Sequence, residues 1–274
     1  MWQIGAAVEP SRAELLYRLR TDRQALESAI REGIDLSGAD LRGGNFDEVD
    51  FHKVNFSGAR LDGACFRGAR LTGTNLRGAS LAFAKLRGAF LSNADLGLAD
   101  LRHADLTDAK LTKAFLGNAN FLNASLWHAD LTCAHCENAN FAYATLTGAD
   151  LSGANLRGAN FYSARLMGAN LSGARLRETN FIAAYVKQVE IASGVTRVKA
   201  RAVWQSGPIG PCGDMLTVFS TNGGLFVQRG FLDPVPVKKF LEEIQYLHGS
   251  NKNGSAYIAA IECARMAIGE DDDE

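Results

Sequence analysis

From Leu36 to Phe181 every fifth residue is Leu or Phe, thirty positions with one exception, Cys136, and no insertion breaks the frame. Neither common backbone period accounts for this, because a helix repeats its face every 3.6 residues and a strand every two. A turn must therefore recur every five residues. The residue two places before each Leu/Phe is Ala in most units, with Ile34, Gly44, Val49, Val54, Thr74 and Thr179 as departures. The residue two places after is Gly in thirteen units and Asn in four, the residue types that best tolerate a positive φ. A short extended leg that turns one small and one large side chain inward, followed by a corner, is a coil of a narrow solenoid whose coils stack on one another. The Asp, Asn, Arg, Ser and Thr of the remaining positions face out.

Units such as ADLRG, ANLRG and ADLSG resemble the A(D/N)LXX motif of the pentapeptide-repeat family. That resemblance implies a mainly β fold, a right-handed four-sided parallel β-helix with four units per coil. Thirty units then make about seven and a half coils, a rod of roughly 35 Å at the usual spacing between strands. Residues twenty apart should stack, so Phe121, Phe141, Phe161 and Phe181 form one interior aromatic column that continues Leu41, Leu61, Leu81 and Leu101.

Three parts follow: residues 1–33 as an N-terminal helical cap, 34–186 as the β-helix, and 187–274 as a small α+β C-terminal domain. The ends of a stack expose apolar surface and unpaired backbone groups, so covers are expected. SRAELLYRLRTDRQALESAIRE (11–32) reads as helix with Ser11 and Thr21 as N-caps, Gly33 as the stop, and Leu26 and Ile30 facing the first coil. In the tail, VTRVKARAVW reads as a strand and MLTVFSTNGGLFVQRGF as a hairpin turning at Asn222-Gly223-Gly224. VKKFLEEIQYLHG, ending at Gly249, and SAYIAAIECARMAI, starting from Ser255 as N-cap, read as helices, and EDDDE as a solvated tail. This order of parts, with WQSGPIG (204–210), resembles pentapeptide-repeat proteins of phages and prophages.

The stretch TCAHCENANF (132–141) places Cys133, His135 and Cys136 together like half of a zinc site. The five-residue frame separates them: Cys136 takes an inward position, Cys133 a corner and His135 an outward one, so they do not converge on a tetrahedral ion. No metal and no cofactor is expected. Asp214, His248, Cys212 and Cys263 are scattered, and no phosphate loop, carboxylate pair or nucleophile elbow occurs, so the expectation is not an enzyme.

Outward apolar residues carry the functional expectation. Phe83, His103 and Tyr143 share one column, Leu122, Tyr162 and Ile182 the neighbouring one, and Trp127 and Met167 lie on the adjoining face. Exposed apolar patches rimmed by polar groups mark interfaces, so a protein partner or a homodimer is expected, unless the patch docks the chain's own C-terminal domain. A DNA-mimicking modulator of topoisomerase (gyrase) is the alternative the resemblance brings. Residues 34–186 hold 14 acidic and 15 basic residues, a balance that opposes mimicry of a polyanion. A small-molecule or enzymatic C-terminal domain is the second alternative. The overall charge of −1 offers no field for direct nucleic-acid binding. No apolar run is long enough for a membrane span, and five widely spread cysteines without a signal-peptide core point to a cytoplasmic location.

Overall fold

A computed structural model describes residues 12–176, 179–181, 184–185, 189–192, 196–209, 214–221, 224–229, 235–248 and 252–268. Its centre is a four-sided parallel β-helix. Bridges join each outward mid-leg residue to the one twenty places on, from Asp35 with Asn55 to Arg165 with Tyr185. Twenty residues, four units, therefore make one coil. Each Leu/Phe amide donates to the coil above, as Leu36 does to the Asn55 carbonyl at 2.9 Å, and each following Ala amide closes the turn, as Ala39 does to Leu36 at 3.1 Å.

Each unit position has its own physical reason. The Leu/Phe and Ala side chains fill the interior, nearly all within 3% of full burial. The Asp or Asn before Leu/Phe accepts from the amide two residues on, as Asp35 does from Ser37 and Asp95 from Gly97, an Asx turn that fixes the corner. The corner residue has a φ near +60°, whether glycine or not. Gly44 replaces Ala because a Cβ there would overlap the Phe46 ring. Thr74 and Thr179 also replace Ala, and each buried hydroxyl donates to a carbonyl of the preceding coil, Phe51 and Leu156 respectively.

Before the solenoid, α1 (Arg12–Thr21) and α2 (Arg23–Arg31) form a helical pair. Leu19 and Leu26 are buried in the solenoid core, and Ile30 packs against it. Asp22, not Thr21, caps α2, its carboxylate accepting from the Ala25 amide. Thr21 instead ends α1, where its hydroxyl donates to the Tyr17 carbonyl one turn back. Gly33 stops α2 with φ +79°.

After the solenoid come β1 (Val189–Ala192), β2 (Thr196–Ile209), β3 (Asp214–Thr221), β4 (Gly224–Arg229) and β5 (Val235–Pro236), an antiparallel sheet in chain order, then α3 (Val237–His248) and α4 (Lys252–Ile268). β3 and β4 make the expected hairpin, with Thr221 opposite Gly224. β1 and β5 were not legible as strands. Ser255 is not an N-cap: α4 starts at Lys252 and Gly254 is already buried, so packing overrides the weak helix propensity of Asn253-Gly254. Leu216, Val218, Val227, Phe240, Ile244, Tyr257 and Ile261 form a second core, while Phe226 of β4 packs against the solenoid. Expectations for Ser11, Ile182, Asn222-Gly223, Gly249 and the acidic tail fall outside the described residues.

Candidate interaction surface

The solenoid interior is closed, so anything this part of the chain recognises meets its legs and corners. Glycine occupies the corners at no steric penalty, yet the eleven consecutive corners from Asn93 to Tyr143 contain none. Asn accepts the left-handed conformation readily, but bulky residues do not, and Leu98 (φ 61°), His103 (φ 59°) and Tyr143 (φ 58°) adopt it here. Phe83 (φ 61°) stands at a corner just before this run. Such residues each cost about 1 kcal/mol or more of backbone strain.

Along one edge, the amides of Phe83, His103, Asn123 and Tyr143 donate to the carbonyls of Arg102, Leu122, Ala142 and Tyr162 in turn. The column therefore exists as the frame dictates. His103 stacks on Phe83 with rings 4.8 Å apart and 2° from parallel. Tyr143 is separated from that pair by Asn123 and meets Tyr162 edge to face at 5.5 Å. Leu122 is half-buried; Phe83 and Tyr143 are 62% and 52% exposed. On the next edge Trp127 is exposed and meets His128 edge to face, with Met167 two coils further along. These residues form two separated groups on neighbouring edges, while Ile182 lies outside the described residues.

On the solenoid three exposed apolar residues escaped the sequence reading, Phe90, Leu98 and Phe115, and outside it Tyr17, Tyr246 and Leu247 did so too. Phe90 and Phe115 sit mid-leg, at the position most often held by Asp or Asn, and the signal was an apolar residue where an Asx turn is usual. Phe115 carries His135 stacked at 5.0 Å.

The cysteine cluster is resolved by geometry. Cys136 is fully buried, and burial pushes its thiol far above the usual range. Cys133 is an exposed corner with φ 55°. His135 is exposed, its Nδ1 4.0 Å from a Glu137 carboxylate oxygen. Cys133 and His135 line a shallow groove of about 380 Å³ with Lys113, Phe115 and Arg175. Among the described residues no three His, Cys, Asp or Glu side chains gather as a metal site, and no helix is long and apolar enough to cross a membrane.

Charge on the outside is paired both within a coil and between stacked coils. Asp40 meets Arg42 at 2.7 Å and Arg60, one coil on, at 3.3 Å. The Arg42 hydrogen bond is the main reason its carboxyl falls to about 2. Asp100 is lowered in the same way by Arg102.

Comparison with known proteins bears on the fold. No curated protein matches the chain. Among solved structures it is similar to HetL, a pentapeptide repeat protein involved in heterocyst differentiation regulation in the cyanobacterium Nostoc sp. strain PCC 7120, at 27% identity over 62% of this chain and 96% of that one, with a TM-score of 0.36. A pentapeptide repeat protein of the Arabidopsis thaliana thylakoid lumen shares 33% identity over 39% of this chain and 71% of that one, with a TM-score of 0.31. QnrB1, a plasmid-mediated fluoroquinolone resistance protein, shares 21% over 57% and 84%, with a TM-score of 0.29. With such TM-scores these likenesses carry no weight in the assignment, which rests on the repeat itself. Pentapeptide repeats match from residue 34 to residue 181, more than half of the sequence, and the chain belongs to the pentapeptide-repeat family, with the right-handed β-helix of that family.

Proposed function

We propose that this protein is a non-enzymatic interaction protein whose rigid β-helix holds apolar side chains at fixed spacing for a protein partner or a second copy of itself. The observation that carries this reading is the placement of Phe83, His103 and Tyr143 at exposed corners in a strained conformation that glycine would adopt freely. Strain of this kind concentrates where a surface is used. Leu122 and Tyr162 belong to the same edge, and Trp127 and Met167 extend the contact to the neighbouring one. Recognition is by shape, with aromatic anchors ringed by polar residues. The helical pair before residue 34 and the unit from 187 to 274 then act as covers and as a second source of specificity.

Replacing Trp127 and Tyr162 with Ser leaves the core untouched and is expected to lower the association state in sedimentation experiments or to abolish capture of a partner from the native host. Unchanged behaviour in both assays rejects the reading. Purified protein is expected to leave gyrase supercoiling unaltered, in line with the balanced charge of the solenoid; inhibition or protection would favour DNA mimicry instead.

A further inference from the structure

The overall balance of charge hides belts of opposite sign. Residues 63–94 contain Arg67, Arg70, Arg77, Lys85 and Arg87 and no acidic residue, while Asp47, Glu48 and Asp50 lie before this stretch and Asp95, Asp100, Asp105 and Asp108 after it. The twenty-residue coil gathers several of these cations around one exposed aromatic ring. Phe90, 48% exposed, is bridged in its column to Arg70 on the coil below and to Lys110 on the coil above. Arg87 occupies the near edge of that side and Lys113 the far edge, with Lys85 just round the corner. Arg70, Thr72 and Phe90 line a depression of about 290 Å³. Gly88 leaves one adjoining corner bare, while the side chains of Glu48 and Lys53 lie beside Gly68 and Gly73.

The cations are available to a ligand. Arg70 lies 3.7 Å from Asp50 and Arg87 lies 3.6 Å from Asp108, with the two arginine side chains 70% and 65% exposed. Ion pairs so exposed contribute little, and a guanidinium exchanges readily to a carboxylate that offers two oxygens.

We propose that Phe90 and the cations around it are a docking site for an acidic segment of a partner protein, one that carries an apolar side chain between carboxylates. Phe90 takes the apolar side chain, and Arg70, Arg87, Lys85 and Lys110 take the carboxylates. The acidic rims choose this occupant over a nucleic acid. Asp47 and Asp50 close the patch on one side and Asp108 and Asp130 on the other, so the basic zone spans about two coils, on the order of 10 Å. A strand with a phosphate at every nucleotide runs onto those rims and neutralises few charges, whereas a short acidic segment ends inside them. The site is separate from the Phe83–Tyr162 edge and does not rest on it.

The test uses the full chain and three fluorescent probes read by anisotropy: a peptide of repeated Glu-Leu-Glu triplets, an all-glutamate peptide of equal length, and an oligothymidylate of matching charge. The Glu-Leu-Glu peptide is expected to bind best and to weaken as salt is raised. Arg70→Glu with Arg87→Glu is expected to weaken it about tenfold or more, and Phe90→Ser to bring it down to the affinity of the all-glutamate peptide. Arg70→Gln with Arg87→Gln, which adds no new charge, serves if the reversed pair unfolds, as judged by circular dichroism. Trp127→Ser with Tyr162→Ser should leave binding intact. Absence of peptide binding to the unmodified protein, tighter binding of the oligothymidylate, or unchanged affinity in the folded arginine variants overturns the proposal.

Discussion

Both ends of the solenoid are filled with phenylalanine, but the rings meet in different ways. In the first coils Phe46, Phe51 and Phe56 occupy successive inward positions, so they face one another across the interior. Phe46–Phe51 and Phe51–Phe56 meet edge to face at 5.7 and 5.0 Å, and Phe66 of the next coil joins them. In the later coils Phe121, Phe141, Phe161 and Phe181 occupy the same position in successive coils and stack 4.8 to 5.2 Å apart, within 11° of parallel. Rings in one coil make a knot; rings in one column make a ladder. The outside mirrors this contrast. On the ladder's own column the outward residues Asn120, Asn140, Asn160 and Asn180 pass one amide hydrogen bond from coil to coil, while the same column near the knot holds Asp40, which pairs at 2.7 Å with Arg42 of its own coil and at 3.3 Å with Arg60 of the next. The first region adds ties between neighbours within a coil, and the second ties only coil to coil.

The largest way to break this contrast is to empty the knot. Phe51→Ala, with contacts to both Phe46 and Phe56 and to Phe66, is expected to destabilise by about 3–5 kcal/mol, read as a lower midpoint in guanidinium unfolding. Gly44→Ala drives a methyl into the Phe46 ring and is expected to lose about 1–3 kcal/mol; combining it with Phe46→Leu should restore much of the loss, and no restoration would refute the overlap as its cause. In the ladder, Phe141→Leu reproduces the residue that fills this column earlier in the chain, so the loss should be about 1 kcal/mol, mostly ring stacking. A loss as large as that of Phe51→Ala would show that knot and ladder do not differ in kind. The smallest effect concerns charge. The folded-state pKa of Asp40, about 2, lies below its ordinary value of 3.8, so its stabilisation is present above that ordinary value and is lost as pH falls from about 4 towards 2. Its side chain is 37% exposed, so the change is small. Acid titration of the unfolding midpoint should show it, and Asp40→Asn should flatten it, whereas Asn140→Ala should lower stability equally at all pH values.

The sequence showed the solenoid in advance because one inward residue in five fixes the whole interior: a single period determines leg, corner and column together. The ladder, the burial of Cys136 and the exposure of His135 follow from that arithmetic. The caps did not, because helix starts at Asp22 and Lys252 depend on local competition between hydroxyl, carboxylate and packing that no period encodes. The outer surface was legible only at the corners. Phe90 and Phe115 sit where Asp or Asn normally closes an Asx turn, and a net charge summed along the chain cannot show that its signs are sorted by height.

The unbroken frame makes the chain a protractor as well as a ruler. Because four units complete a coil, removing one unit between Phe90 and Trp127 would turn everything beyond it by a quarter turn, bringing Trp127 to a different side while shortening the rod hardly at all. Removing four would restore every direction and take away one coil, about 4.8 Å. In this molecule an insertion of five residues is a rotation and an insertion of twenty is a translation, so the angle between its two surfaces can be dialled separately from their distance.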